Sequence, residues 1–276
     1  MRISLIISVY NRLELLQKCL QSLNRQTRLP DEIILTDDGS DEDILGLLEE
    51  WKPRFTMPFR LVRQAHEQFR LARLRNNGVF ASTGDLLLFI DQDIVPAPGY
   101  IERFATLTCP RRFLVGYPVR LTSEQSERLD EGVLRDGDIL SVTTPEQRAK
   151  VLRQYRKDRL NNILFALGLS AHGTKLRGGV CGILREDYLR VNGYDEHFVG
   201  WGNEDDDMGR RLLAAGVKGL NVIRTECPLH LFHPPNHDNG RRVNRDYASS
   251  SQQRIREQGY RCQQGLASER SDIVIL

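Results

Sequence analysis

The chain has 276 residues, enough for one large domain, and its 40% hydrophobic content supports a substantial core, which excludes a disordered protein. A formal net charge of only +2 excludes a dedicated nucleic-acid binder, so no nucleic acid is expected among its partners. No stretch reaches the roughly 20 apolar residues of a membrane span and no signal-peptide pattern opens the chain, so a cytoplasmic location is expected.

Ile3–Val9 is a short β-branched run and predicts a buried strand. Leu13, Leu16, Leu20 and Leu23 recur at helical spacing. Residues 32–36 predict the next strand, ending in Asp37-Asp38-Gly39-Ser40. Asp41 or Ser40 is then expected to cap a helix running to Trp51. A strand over 59–63, a helix over 72–81 and a strand over 85–90 follow, the last leading into Asp91-Gln92-Asp93. This alternation predicts an α/β fold, a mostly parallel central sheet with helices on both faces. Ligands of such sheets lie beyond the carboxyl ends of the strands, where both acidic motifs fall.

Further along, the pattern predicts a helix over 96–109, a strand over 113–118, a loop over 122–145 and a helix over 146–169. Gly178, Gly179 and Gly182 mark a place where backbone comes close to a ligand or another strand. A helix over 204–215 carries Met208, Leu212 and Ala215 on one face, and a strand over 219–223 precedes a histidine-rich loop. Residues 244–258 predict a surface helix, a C-terminal helical extension. The expected division is a nucleotide-binding half, 1–118, an acceptor half, 119–240, and a basic tail, 241–276. Arg241, Arg242, Arg245, Arg254, Arg256 and Arg261 stand in that tail with Tyr247 and Tyr260. Two readings of it stay open, a solvated surface helix or a peripheral contact with the anionic inner face of a membrane. The five cysteines, odd in number and widely spaced, are expected as reduced thiols.

Three clusters carry chemistry. Asp91-Gln92-Asp93 puts two carboxylates just past an apolar strand, where such oxygens hold a hard divalent cation and, through it, phosphate. His230 and His233, three apart after a strand, could complete an oxygen–nitrogen site with Asp93 suited to Mn2+ or Mg2+. Glu204-Asp205-Asp206-Asp207 begins a helix that Asn203 is expected to cap. Four adjacent carboxylates repel one another, which calls for a compensating role, a general base being one. No dinucleotide fingerprint, P-loop or nucleophile elbow is present.

Together these residues resemble the family 2 inverting glycosyltransferases of the GT-A fold. The resemblance runs from S-L-I-I-S-V-Y-N-R through T-D-D-G-S and G-D-L-L-L-F-I-D-Q-D, over most of the chain. The stretch R-G-G-V-C-G-I through G-W-G-N-E-D-D-D-M-G-R-R-L is similar to a segment shared with galactosyl- and N-acetylgalactosaminyl-transferases. The resemblance implies a metal-dependent enzyme that moves a sugar from a nucleotide-sugar, a UDP-sugar, to a hydroxyl of a glycan or lipid-linked acceptor in bacterial polysaccharide or glycolipid synthesis. It implies that Ser8 and Tyr10 line the nucleobase, Tyr10 by stacking. Asp38 would accept from the uracil ring, with Asp37 supporting the turn. Arg70 would approach base or phosphates, and Asp91 the ribose or a metal-bound water. Asp93 would ligate the metal, with His230 or His233 as a further ligand. Asp205 would be the catalytic base, Glu204 and Asp206 would bind sugar or acceptor hydroxyls, and Trp201 would wall the sugar site. Asn203 departs from that pattern, which usually has glycine there.

Overall fold

A computed structural model describes residues 1–234 and 243–276. The first half alternates as expected: β1 (Ile3–Val9), α1 (Leu13–Leu23), β2 (Glu32–Asp37), α2 (Ile44–Trp51), β3 (Phe59–Gln64), α3 (Leu71–Ala81), β4 (Leu86–Asp91). Then come β5 (Ile94–Val95), α4 (Tyr100–Leu107), β6 (Arg112–Val115), β7 (Val119–Arg120), α5 (Ser123–Arg128), α6 (Glu131–Asp136) and α7 (Pro145–Ala166). The rest comprises β8 (Val180–Leu184), α8 (Arg185–Arg190), α9 (Glu204–Ala214), β9 (Lys218–Asn221), β10 (Leu229–His230), α10 (Arg245–Ser249), α11 (Ser251–Gln258) and β11 (Ile273–Ile275).

The main sheet runs β11-β3-β2-β1-β4-β8-β6-β9. Its β3-β2-β1-β4 core is parallel, and β8 enters antiparallel between β4 and β6. Strand periodicity explains the layering. Ile3, Leu5, Ile7, Ile33, Leu35, Leu86, Leu88 and Ile90 face one core with α1, α2 and α4. Ile6, Ile34, Leu87 and Phe89 face the other, with α3, α8 and α9. Both faces are covered, so these strands read as continuous apolar runs.

Several expectations need correction. The loop over 122–145 contains α5 and α6, too short to show helical periodicity but each started by a side-chain cap. Thr122 and Gln125 form a reciprocal capping box, and Asp130 accepts from the Val133 N–H. The cap of α2 is Asp43, which accepts from Gly46 N–H at 2.8 Å; Ser40 is drawn instead into the Asp37 turn. Asn203 does not cap α9 through its side chain, because its backbone is left-handed at φ 76°.

From residue 243 onward parts of the basic tail pack onto the domain, while Arg245 and Arg256 stay exposed. β11 pairs antiparallel with β3, and Arg270, buried, bonds Asn77 and Glu196. Arg254 lies 3.6 Å over the Tyr247 ring and pairs with buried Asp207. The Arg261 guanidinium donates to the Leu189 carbonyl. Arg241 and Arg242 lie outside the described residues. No helix among the described residues is long and apolar enough to cross a membrane.

Candidate active site

Register brings the first motifs level. Ser8 of β1 stands beside Thr36 of β2 and Asp91 of β4, so three strand ends open on one cleft. Ser8 Oγ is buried with no hydrogen-bond partner among the described residues. Gln92, between the two acids, clamps the chain after β1. Its Oε1 accepts from Tyr10 N–H at 2.7 Å and its Nε2 donates to the Tyr10 and Asn11 carbonyls. Gln92 therefore holds the Tyr10 loop against the Asp91-Gln92-Asp93 turn.

Asp37 is fully buried and braces its turn, accepting from Ser40 N–H and Oγ while Arg63 pairs with its other oxygen at 3.3 Å. Gly39 takes φ +72°, and a Cβ there would stand 2.6 Å from the His66 nitrogen. Asp38 is also fully buried. Its Oδ1 accepts from Gln64 at 2.5 Å, and His66 Nδ1 stands 3.1 Å from Oδ2. Burial raises its pKa, against those two bonds. His66 also stacks on Tyr10, with centroids 4.5 Å apart. Two residues not singled out in the sequence, Gln64 and His66, thus occupy the Asp38–Tyr10 corner.

The expected arginine is not the central one. Arg70 pairs with Glu67 and donates to the Ala65 carbonyl at the edge of the cleft. Arg75, five residues further, is 1% exposed and reaches the acids. Its guanidinium lies 2.9 Å from Asp205 Oδ1, 3.3 Å from Asp91 Oδ1 and 3.9 Å from Glu204 Oε1. Burial opposes its charge, but Tyr194 and these acids hold it firmly cationic. The signal was its place with Ala72, Asn76 and Val79 on the buried stripe of α3, where a lone arginine needs partners.

The four acids of α9 separate by direction. Asp205 Oδ1 takes Arg75 and the Tyr194 hydroxyl, and Oδ2 takes Gly178 N–H at 2.9 Å. A carboxylate offers about four lone-pair directions, so Oδ2 keeps one open, on a side chain 28% exposed. A Cβ on Gly178 would collide with both Arg75 and Asp205, so the glycine is what lets that backbone approach. Glu204 is part-buried, its side chain 11% exposed and its Oε2 without a partner among the described residues, and its pKa is pushed up to about 7 by desolvation and by Asp205. Asp206 borders a cavity that residues of α7, α9 and β9 also line. Asp207 is a core ion pair, 2.6 Å from Arg211 and bonded to Ser251. Trp201, half exposed, stands in the loop before α9, where Gly200, Gly202 and Asn203 all take positive φ. Asn203 stands at a position that needs the left-handed region, which asparagine enters more readily than most residues.

β10 pairs with β5, so His230 stands opposite Ile94, and Leu231 N–H bonds the Asp93 carbonyl at 2.8 Å. His233 Nε2 lies 3.0 Å and His230 Nε2 3.7 Å from Asp93 Oδ2. The three residues offer ligand atoms within 4.8 Å of one another. Each imidazole Nδ1 faces a backbone carbonyl at 2.9 Å, of Leu231 and of Pro234. A carbonyl only accepts, so Nδ1 carries a proton in each ring and Nε2 is the atom turned to Asp93. Lone pairs so close need a shared proton or cation. Burial opposes the charge on Asp93, but His233 and His230 hold its pKa down, and the same bond raises that of His233. Asp93 Oδ1 is buried and unpartnered. This donor set fits a divalent cation.

The fold is that of the GT-A glycosyltransferases. A mannosyltransferase from Pyrobaculum calidifontis, solved with GDP-Man and Mn2+, matches at TM-score 0.59 and 15% identity, over 86% of this chain and 58% of that one. GalNAc-T7, solved with UDP, GalNAc and Mn2+, matches at TM-score 0.60 and 16% identity, over 89% and 47%. The chain belongs to glycosyl transferase family 2, whose model matches residues 4–165. A second model, described as the N-terminal domain of galactosyltransferase, matches residues 159–237. Among curated relatives, validoxylamine A glucosyltransferase of Streptomyces hygroscopicus subsp. limoneus is 27% identical over 86% of this chain. The chain spans about half, 53%, of that relative's length.

Proposed function

We propose that this chain transfers a sugar from a UDP-sugar to an acceptor hydroxyl with inversion, in bacterial polysaccharide or glycolipid synthesis. The observation that carries the reading is Arg75. It joins Asp91, at the end of β4 and two residues from Asp93, to Asp205 at the start of α9, so donor-side and acceptor-side acids share one cleft. The two structural neighbours were solved with Mn2+ and a nucleotide or nucleotide-sugar, which supports the donor class.

Asp93, His230 and His233 would hold the cation, Mn2+ or Mg2+, which when bound neutralises charge on the diphosphate. Ser8, Tyr10 and Asp38 would receive the uridine, with His66 yielding its place on Tyr10, while Arg70 and Asp91 border phosphate and ribose. Trp201, Glu204 and Asp206 would bind sugar and acceptor hydroxyls. Asp205 takes the acceptor proton on the open side of Oδ2. The freed oxygen bonds the anomeric carbon as the carbon–phosphate-oxygen bond breaks on the opposite face, so the configuration inverts and UDP leaves.

The test is Asp205→Asn. The amide keeps size and polarity but cannot take the proton. Turnover should fall roughly 10²–10⁴-fold with UDP affinity nearly intact. Normal turnover would remove Asp205 from the mechanism and bring forward Glu204, whose raised pKa and unpartnered oxygen make it the next base.

A further inference from the structure

Among the described residues, helix α7 leaves one long face exposed. Residues 153, 156, 160, 163 and 167 recur at alternating steps of three and four, which places them on one stripe. Arg153 and Arg156 occupy its first part, and Leu160, Ile163 and Leu167 its second. The arginines are exposed, and the apolar side chains are 55%, 57% and 67% exposed, with Leu169 just beyond at 72%. The helix is firmly held from behind. Val151 and Asp158 are buried, Asp158 accepts from Asn221, and Asn162 ties the helix end to Thr174 N–H and the Gly219 carbonyl.

Charge identifies what would cover this face. From Lys150 to Arg185 the chain has eight lysines and arginines and a single carboxylate, the buried Asp158. Beside the ridge lies a cavity of about 530 Å³, bordered by Phe165 of α7, by Lys175, Arg210, Lys218 and Arg256, and by Asp206 of the acid cluster. A second copy fits poorly, since two such faces would oppose like charges. An uncharged apolar partner would leave the cations unmatched.

We propose that α7 lays this ridge on an anionic lipid surface, with the leucines and isoleucine at the acyl boundary and the arginines among the phosphates. The contact is made by α7 rather than by the basic tail, where Arg254 and Arg261 have partners inside the domain, although Arg256 of the tail borders the cavity beside it. It stands on the geometry of α7 and does not depend on the catalytic reading. On that reading, a lipid-borne acceptor would reach the acid cluster from the Asp206 side.

The test is flotation of the full chain with phosphatidylcholine vesicles, with and without phosphatidylglycerol. The parent should float only with the anionic vesicles, and less so as salt rises. The double variant I163E/L167E should lower the bound fraction about tenfold or more, and R153E/R156E should also lower it. Unchanged circular dichroism and UDP-sugar hydrolysis would show that fold and donor site are intact in both. Absence of flotation, equal binding to neutral vesicles, or unchanged binding by I163E/L167E would each overturn the proposal. So would sedimentation velocity showing a parent dimer that I163E/L167E converts to monomer, which assigns the ridge to a second copy.

Discussion

Replacing Arg75 with methionine removes a buried cation that reaches Asp91, Glu204 and Asp205. Methionine keeps similar length and no charge, so the loss is electrostatic rather than steric. Removing one partner of a buried ion pair costs about 3–5 kcal/mol, because the carboxylates stay desolvated without compensation. Unfolding entropy near 2.1 cal/mol/K per residue over 276 residues gives about 0.6 kcal/mol per kelvin, so Tm should fall by about 5–9 °C. Turnover should fall roughly 10²-fold, since Asp205 loses one of the groups that aim it. Arg75→Lys should recover only part of both, because an ammonium cannot span Asp91 and Asp205 as the planar fork does. The assays are scanning calorimetry and steady-state transfer. A Tm within about 2 °C of the parent, with turnover unchanged, would refute the assignment of Arg75 as the organiser of the cleft.

Glu204 supplies a pH test. Its folded pKa is about 7 against an ordinary 4.5, so its contribution to stability is complete below 4.5 and is lost as pH rises through about 7. Glu204→Gln should therefore gain on the parent by up to about 3 kcal/mol between pH 5 and 8 in denaturant titrations; a constant difference would show that the carboxyl is not shifted. Asp93→Ala should abolish metal-dependent UDP binding in calorimetry, and the parent should lose transfer in excess chelator; full activity there would sink the metal site. Asp38→Ala should bind UDP about tenfold more weakly or worse, from the loss of a charge-assisted bond of roughly 1.5–3 kcal/mol. Equal parent affinity for CDP and UDP, cytosine having no N3–H, would count against that contact.

Residue order alone announced the sheet. β-branched runs ending in Asp37-Asp38 and Asp91-Gln92-Asp93 carry their own periodicity, and a strand's carboxyl end follows from chain direction. The Asp93–His230–His233 grouping was also legible, since few chemistries use a strand-end acid with two histidines three apart. Other features became visible only in three dimensions. F-R-L-A-R-L-R offers arginines at 70, 73 and 75, and only the packing of α3 decides that Arg75 faces the acids while Arg70 stays at the rim. Glu204-Asp205-Asp206-Asp207 reads as one acidic run, yet helical rotation of about 100° per residue sends Asp207 into the core and Asp205 into the cleft. Asn203 looked like a departure from a pattern, and its φ of 76° makes it an answer to the same backbone demand. Local pattern records which face of an element is apolar; which charged side chain that face carries to which partner depends on distances between segments far apart in sequence, and those exist only once the chain is packed.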